Sequence, residues 1–180
     1  MSAPDPIATT PRLVLTPWRL DDADAIAALW LDPDAMRYAG ALTAPADVRR
    51  ALTAARAAQD THGVCLWAVR ARDDGRLLGD CGFHVIGDGS YELGYHFLPA
   101  AQGRGHATEA ARAALDHAFA ALGAREVLAW SHPDNVRSVA LLGRCGFAAE
   151  GPDPAERGEL RFRLTAEGHR GRRREGSRDG

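Results

Sequence analysis

Between Val64 and Leu98 the chain carries three strand-like apolar runs, Val64 to Arg70, Leu77 to Val85 and Tyr91 to Leu98, parted by Asp73-Asp74-Gly75 and by Gly87-Asp88-Gly89-Ser90. Separators this short and this rich in Gly and Asp join neighbouring antiparallel strands, because those residues tolerate the positive φ that hairpin turns require. At Ala107 the period changes. Ala111, Leu115, Ala118, Phe119 and Leu122 recur at three- and four-residue spacing, which predicts a helix closed by Gly123. An antiparallel meander running directly into a helix is the frame that every other segment has to fit.

The flanks complete a mixed pattern. Leu13 to Leu15 suits a strand; Asp21 and Asp22 precede a helix over Ala23 to Leu31; Pro45 opens a second helix that runs to about Gln59. After the central helix come a strand at Val127 to Trp130, a short helix at Val136 to Cys145 stopped by Gly146, and strands at Phe147 to Glu150 and Leu160 to Leu164. The order αα, βββ, α, β, α, ββ predicts a mixed α+β fold, a sheet flanked by helices. With 180 residues and 46% hydrophobic content the chain can bury one core, and a single domain over 11–167 is expected, with a flexible lead at 1–10. From Gly168 no apolar residue remains, so 168–180 is expected to be a disordered Arg-rich tail.

Composition excludes several function classes. A formal charge of −2 gives no field to gather nucleic acid or anionic membrane, and no stretch approaches the roughly 18 apolar residues of a membrane span. A cytoplasmic protein without dedicated nucleic-acid binding is expected. Cys65, Cys81 and Cys145 are widely spaced and form no C-x-x-C pair, and the histidines have no metal-ligand spacing, so neither a disulfide framework nor a metal is expected.

The chemistry concentrates in Tyr91 to Thr108, where a strand-like run passes through Pro99 into Gln102-Gly103-Arg104-Gly105-His106-Ala107 and straight into a helix. Two glycines and an alanine there let main-chain N–H groups point together at an anion, with the helix dipole adding attraction. A plain structural turn uses glycine too. The segment fits neither competing phosphate motif: the Walker loop ends in Gly-Lys-Ser/Thr and this chain has no lysine, and G-x-G-x-x-G is absent.

Gln102-x-x-Gly105-x-Ala107 resembles the Q/R-x-x-G-x-G/A pyrophosphate loop of the GNAT acetyltransferase superfamily. Glu92 to Pro99, Gln102 to Ala110, Asn135 to Ser138, Gly146-Phe147 and the opening Arg12 to Asp24 resemble its RimJ/RimL-type branch, which acetylates protein N-termini and other amines. The resemblance covers about residues 11 to 165. It implies a GNAT-like, mostly antiparallel, splayed sheet and acetyl-coenzyme A (acetyl-CoA) as cosubstrate. The backbone of His96, Phe97 and Leu98 would hold pantetheine, and the amides of Gly103, Arg104, Gly105, His106, Ala107 and Thr108, following Gln102, would hold pyrophosphate. Arg104 would add a phosphate contact or remain a solvated loop residue. Asn135 and Ser138 would lie near the coenzyme thiol, Asn135 serving also as a helix cap. Glu109 is read as a carboxylate favoured by the helix dipole.

The resemblance also assigns catalytic parts. Glu92, ten residues before Gln102, is the candidate base, its alternative being a solvent-facing strand glutamate. The family's usual tyrosine acid is replaced by Leu142, so Ser138 or a bound water substitutes for it, or the thiolate leaves unassisted. The Phe97 N–H would polarise the thioester carbonyl. Trp18, Trp30, Tyr38 and Trp67 are candidate walls of an acceptor groove, and Asp32, Asp34, Asp153 and Glu156 candidate attractors of an ammonium group. The acceptor is expected to be a protein or peptide α-amine, with a polyamine- or aminoglycoside-like amine as the alternative; a non-catalytic acyl-CoA sensor is a further reading. The expected state is monomer or homodimer.

Overall fold

The computed structural model describes residues 5–153, 155 and 158–176, with side chains as far as residue 171. Its described residues fall into two compact units, one formed by the chain up to His84 together with Gly94–Ala114, the other by Val85–Leu93 and the chain from Leu115 onward.

The first unit holds strands β1 (Ala8–Thr9) and β2 (Leu13–Thr16), a 3-10 turn at Leu20–Asp22, helices α1 (Ala23–Trp30) and α2 (Pro45–His62), and β3 (Leu66–Ala71). It also contains most of β4 (Leu77–Gly87), the end of β5 (Ser90–Phe97) and the start of α3 (His106–Ala120). Strand order is β1-β2-β3-β4-β5, with β1 to β4 paired antiparallel in sequence. Pro45 suits the first position of α2, where its missing N–H costs nothing, and Asp47 accepts from the Ala44 N–H (3.0 Å) and the Thr43 hydroxyl (2.9 Å) to fix that start. Leu13, Leu15, Ile26, Leu29, Val48, Leu52, Trp67 and Val69 make the core, each buried to within 1% of complete. At about 1.5–3 kcal/mol per large side chain, this set is the main force holding α1 and α2 to the strands. One charge pair is buried with it: Asp22 accepts from Arg70 (2.5 Å) and from the Arg19 N–H (2.8 Å).

The second unit is built on β5-β6-β8-β7, with β6 at Glu126–Ser131, β7 at Ala148–Pro152 and β8 at Leu160–Thr165. The start of β5 runs parallel to β6 over Ser90–Glu92 and Glu126–Leu128, the pairing that the α3 crossover between them permits. β6 then pairs along its whole length with β8, antiparallel. The alternation expected of β8 is realised: Phe162 and Leu164 are buried, while Arg161 meets Glu150 (2.7 Å) and Arg163 meets Glu126 (2.6 Å). Helix α4 (Val136–Cys145) ends at Gly146, which takes the left-handed conformation.

This is the mixed fold with a mostly antiparallel sheet that the pattern predicts. Three segments differ from expectation. Two residues of the lead form β1, secured by the Ile7 N–H donating to Leu15 O (2.8 Å), and residues 1–4 lie outside the described set. Helix α2 continues to His62. In place of a disordered tail from Gly168, helix α5 runs Ala166–Gly176; His169 stacks on Phe119 (centroids 4.7 Å apart) and pairs with Asp116 (2.9 Å), giving a polar segment one anchored side chain. Residues 177–180 lie outside the described set. Among the described residues no helix is long and apolar enough to cross a membrane.

Candidate active site

After β5 the chain makes a 3-10 turn at Pro99–Ala101 and passes through Gln102–Gly105 into α3. Gly103 and Gly105 sit at φ of +73° and +78°, a conformation that costs an L side chain roughly 1–2 kcal/mol. A Cβ on Gly103 would meet nothing within 4 Å, so backbone shape, not crowding, explains the glycine. Among the described residues the Glu109 N–H is the first in this segment after Gln102 to find a main-chain acceptor, Gly105 O at 3.0 Å. The amides from Gly103 to Thr108 therefore remain available at the positive end of a helix dipole, as a pyrophosphate cradle requires.

Side chains fix the loop from both ends. Gln102 Nε2 donates to Phe97 O (2.9 Å), and His106 Nδ1 lies 3.1 Å from Ala101 O, a carbonyl that can only accept and so partners a ring N–H. On the other side, Arg12 donates from Nη1 to Arg104 O (2.8 Å) and grips Glu109 Oε2 through Nε and Nη2 (both 2.6 Å). The Thr10 hydroxyl (2.6 Å) and the Arg12 N–H (3.1 Å) complete the shell of Glu109 Oε1. Burial alone would raise the Glu109 pKa, but the Thr10 and Arg12 hydrogen bonds and the Arg12 charge outweigh it and hold the carboxyl below its ordinary value. Glu109 thus does more than complement a dipole: through Arg12 it is tied to the Arg104 carbonyl, two residues before α3 begins. Sequence reasoning missed Arg12 and Thr10 because they stand 97 and 99 positions away.

The main chain of the expected pantetheine segment is partly committed. The Leu98 N–H donates to Leu78 O (2.9 Å), and its carbonyl accepts from Ala101 N (2.8 Å). Successive amides of a strand point to opposite edges, so the Phe97 N–H faces away from β4. His96 adds a side chain with no local sequence signal: its Nδ1 lies 2.7 Å from Oδ1 of Asp80, which is fully buried.

The second unit holds the other candidates. Asn135 caps α4 with its side-chain oxygen accepting the Ser138 N–H at 3.3 Å. Glu92 pairs with Leu128 in the β5/β6 register and is half-buried, and its carboxylate has no ion pair among the described residues. Leu142 is fully buried. Of the proposed groove walls, Trp18 and Trp67 are core: Trp18 packs edge-on to Trp30 at 5.4 Å and Trp67 edge-on to Phe83 at 5.8 Å. Tyr38 alone of that set is well exposed, and Glu156 lies outside the described residues.

A model of the acetyltransferase (GNAT) domain matches residues 12–148, three quarters of the chain and parts of both units. The chain belongs to the GNAT acetyltransferase family. The uncharacterized N-acetyltransferase YoaA of Bacillus subtilis (strain 168) is 32% identical over 152 residues, covering 81% of this chain and 85% of YoaA. Mycobacterium smegmatis RimJ, solved in complex with CoA-disulfide, superposes with a TM-score of 0.75 at 26% identity, covering 86% of this chain and 82% of RimJ. RimL, a ribosomal L7/L12 alpha-N-protein acetyltransferase, shares the fold with a TM-score of 0.78 at 17% identity over 89% of this chain and 94% of RimL. This GNAT protein is an acetyl-CoA-dependent N-acetyltransferase.

Proposed function

We propose that this acetyltransferase modifies the α-amine of a protein or peptide N-terminus in the cytoplasm. The observation that carries the reading is the half-buried carboxylate of Glu92, which has no ion pair among the described residues and stands as the candidate base. An α-amine has a pKa near 8, so roughly one in ten is already neutral at pH 7, against fewer than one lysine in a thousand. A modest base suffices for the former and not for the latter. The fold shared with the N-terminal acetyltransferase RimL supports the same acceptor class. Three buried free cysteines, with Cys65 pushed up to about 12 by burial and by the Asp80 charge, suit a reducing compartment.

In this reading the catalytic domain spans 11–167. The amides of Gly103 to Thr108 bind pyrophosphate, with the Arg104 side chain alongside, and Gln102 and His106 shape the loop. The backbone of His96, Phe97 and Leu98 takes pantetheine as an added strand would, and the Phe97 N–H polarises the acetyl carbonyl. Glu92 removes the amine proton as nitrogen attacks that carbonyl, the C–S bond breaks, and the thiolate is protonated. Asn135 and Ser138 stand by the thiol.

The test is thiol release against a panel of N-terminal peptides, polyamines and aminoglycosides, with wild type and Glu92→Gln. Peptide-specific turnover that Glu92→Gln lowers at neutral pH, with acetyl-CoA affinity kept, supports the reading. Turnover on small amines alone replaces the acceptor class. Coenzyme binding with no turnover on any amine indicates a sensor.

A further inference from the structure

We infer that His96, seated on Asp80, is the proton donor to the leaving coenzyme thiolate, the part that Leu142 cannot play. The inference rests on the proposed function, since it takes the backbone of this same residue as a pantetheine contact.

Its basis is a buried polar cluster within the first unit. Asp80 lies on β4 with no exposed surface, and each of its oxygens has one donor: Oδ1 the His96 Nδ1 at 2.7 Å, Oδ2 the Trp30 Nε1 at 2.7 Å. Trp30 is itself 8% exposed and packed on Trp18. A carboxylate removed from water is costly unless paired and hydrogen-bonded, and Asp80 has both partners at 2.7 Å. The close approach of the strands is built in at the preceding residue: a Cβ on Gly79 would lie 2.0 Å from His96 O, so only glycine lets β4 come near enough to seat Asp80 against the ring.

That seating fixes the tautomer. With Nδ1–H committed to Asp80, Nε2 is the nitrogen left to exchange a proton, and the His96 side chain keeps 24% of its surface exposed. Burial disfavours the imidazolium, but the Asp80 charge and hydrogen bond outweigh burial and raise the His96 pKa above its ordinary 6.5. Cys65, which also feels the Asp80 charge, remains a neutral thiol with its pKa pushed up to about 12. An imidazolium near neutral pH is a far better acid toward a thiolate than a serine hydroxyl.

The step balances. The amine nitrogen forms the C–N bond and loses one proton to Glu92; the C–S bond breaks with its electron pair on sulfur; Nε2–H of His96 passes its proton to that sulfur, giving free coenzyme and neutral imidazole. Exchange with solvent returns Glu92 and His96 to their starting states, with no net change in protons on the protein.

The experiment pairs NMR titration of the His96 ring in the full chain with pH-rate profiles of thiol release for wild type, His96→Gln and Ser138→Ala. The expected ring pKa is above 6.5, and it falls in Asp80→Asn, or in Asp80→Ser should Asp80→Asn not fold. Wild-type kcat falls on the alkaline side as that proton is lost. His96→Gln loses about 100-fold in kcat together with that limb, at unchanged acetyl-CoA affinity, while Ser138→Ala keeps the limb. A ring pKa at or below 6.5, or an unaltered alkaline limb in His96→Gln, overturns the inference. A wild-type chain that binds acetyl-CoA and acetylates no amine overturns the proposed function itself.

Discussion

Helices α3 and α4 both begin at a polar turn that follows a strand, but their first turns are held by different means. At α4 the support is local. Asn135 reaches the Ser138 N–H three residues on, a bond of 3.3 Å, and Val136 beside it is 68% exposed. At α3 the N–H groups of His106, Ala107 and Thr108 have no main-chain acceptor among the described residues; side chains instead secure the carbonyl side of the loop, through Arg12 on Arg104 O and Glu109. One helix start satisfies its own donors and the other keeps them for a ligand. A turn that is rigid yet unsatisfied is the arrangement an anion site needs, because ordering is complete before the anion arrives.

The contrast breaks most sharply at Gly105. Gly105→Glu puts a carboxylate where pyrophosphate belongs and forces an L residue to φ +78°. Together these cost about 3 kcal/mol, roughly 100-fold in acetyl-CoA affinity by calorimetry. Next in size, Arg12→Met frees the Arg104 carbonyl and leaves Glu109 without its guanidinium, and affinity falls about tenfold. The double cycle with Glu109→Gln gives a coupling of about 1 kcal/mol in stability, modest because Arg12 is half exposed.

The same pair predicts a pH dependence. The folded-state pKa of Glu109 is depressed, so its stabilisation is fully present above the ordinary carboxyl value of 4.5 and is lost as pH falls through the lower folded value. Acid melts of wild type and Glu109→Gln should converge in that window. At the α4 start, Asn135→Ala costs about 1 kcal/mol of stability by chemical denaturation and lowers turnover more than affinity. The smallest change is Ser138→Ala, about fivefold in kcat with no shift in melting temperature.

The legible parts of this molecule were those whose causes lie close together in the chain. The hairpin turns, the period change that begins α3, the Asn135 cap and the alternation of β8 are each written within a dozen residues, and each is realised. The Gly103 and Gly105 loop was legible for the same reason. What stayed hidden needed long-range contact: Arg12 on Glu109, Asp80 under His96, His169 on Phe119. In each case a polar residue acquires its meaning from a partner that nothing nearby announces. His96 was noticed only for its backbone, since a histidine on a strand has no local signal that a buried aspartate 16 positions earlier will fix its ring. The polar composition after Gly168 argued for disorder because the one stacked histidine is invisible to a compositional average.

The central claim, an acetyl donor held on the free amides before α3, is tested most directly by calorimetric titration of acetyl-CoA into wild type and Gly105→Glu, with thiol release on an amine panel followed in the same preparations. The account predicts saturable binding and turnover in wild type and loss of both in a Gly105→Glu protein that still unfolds cooperatively. Equal binding by the two proteins would contradict it and move the coenzyme away from this loop.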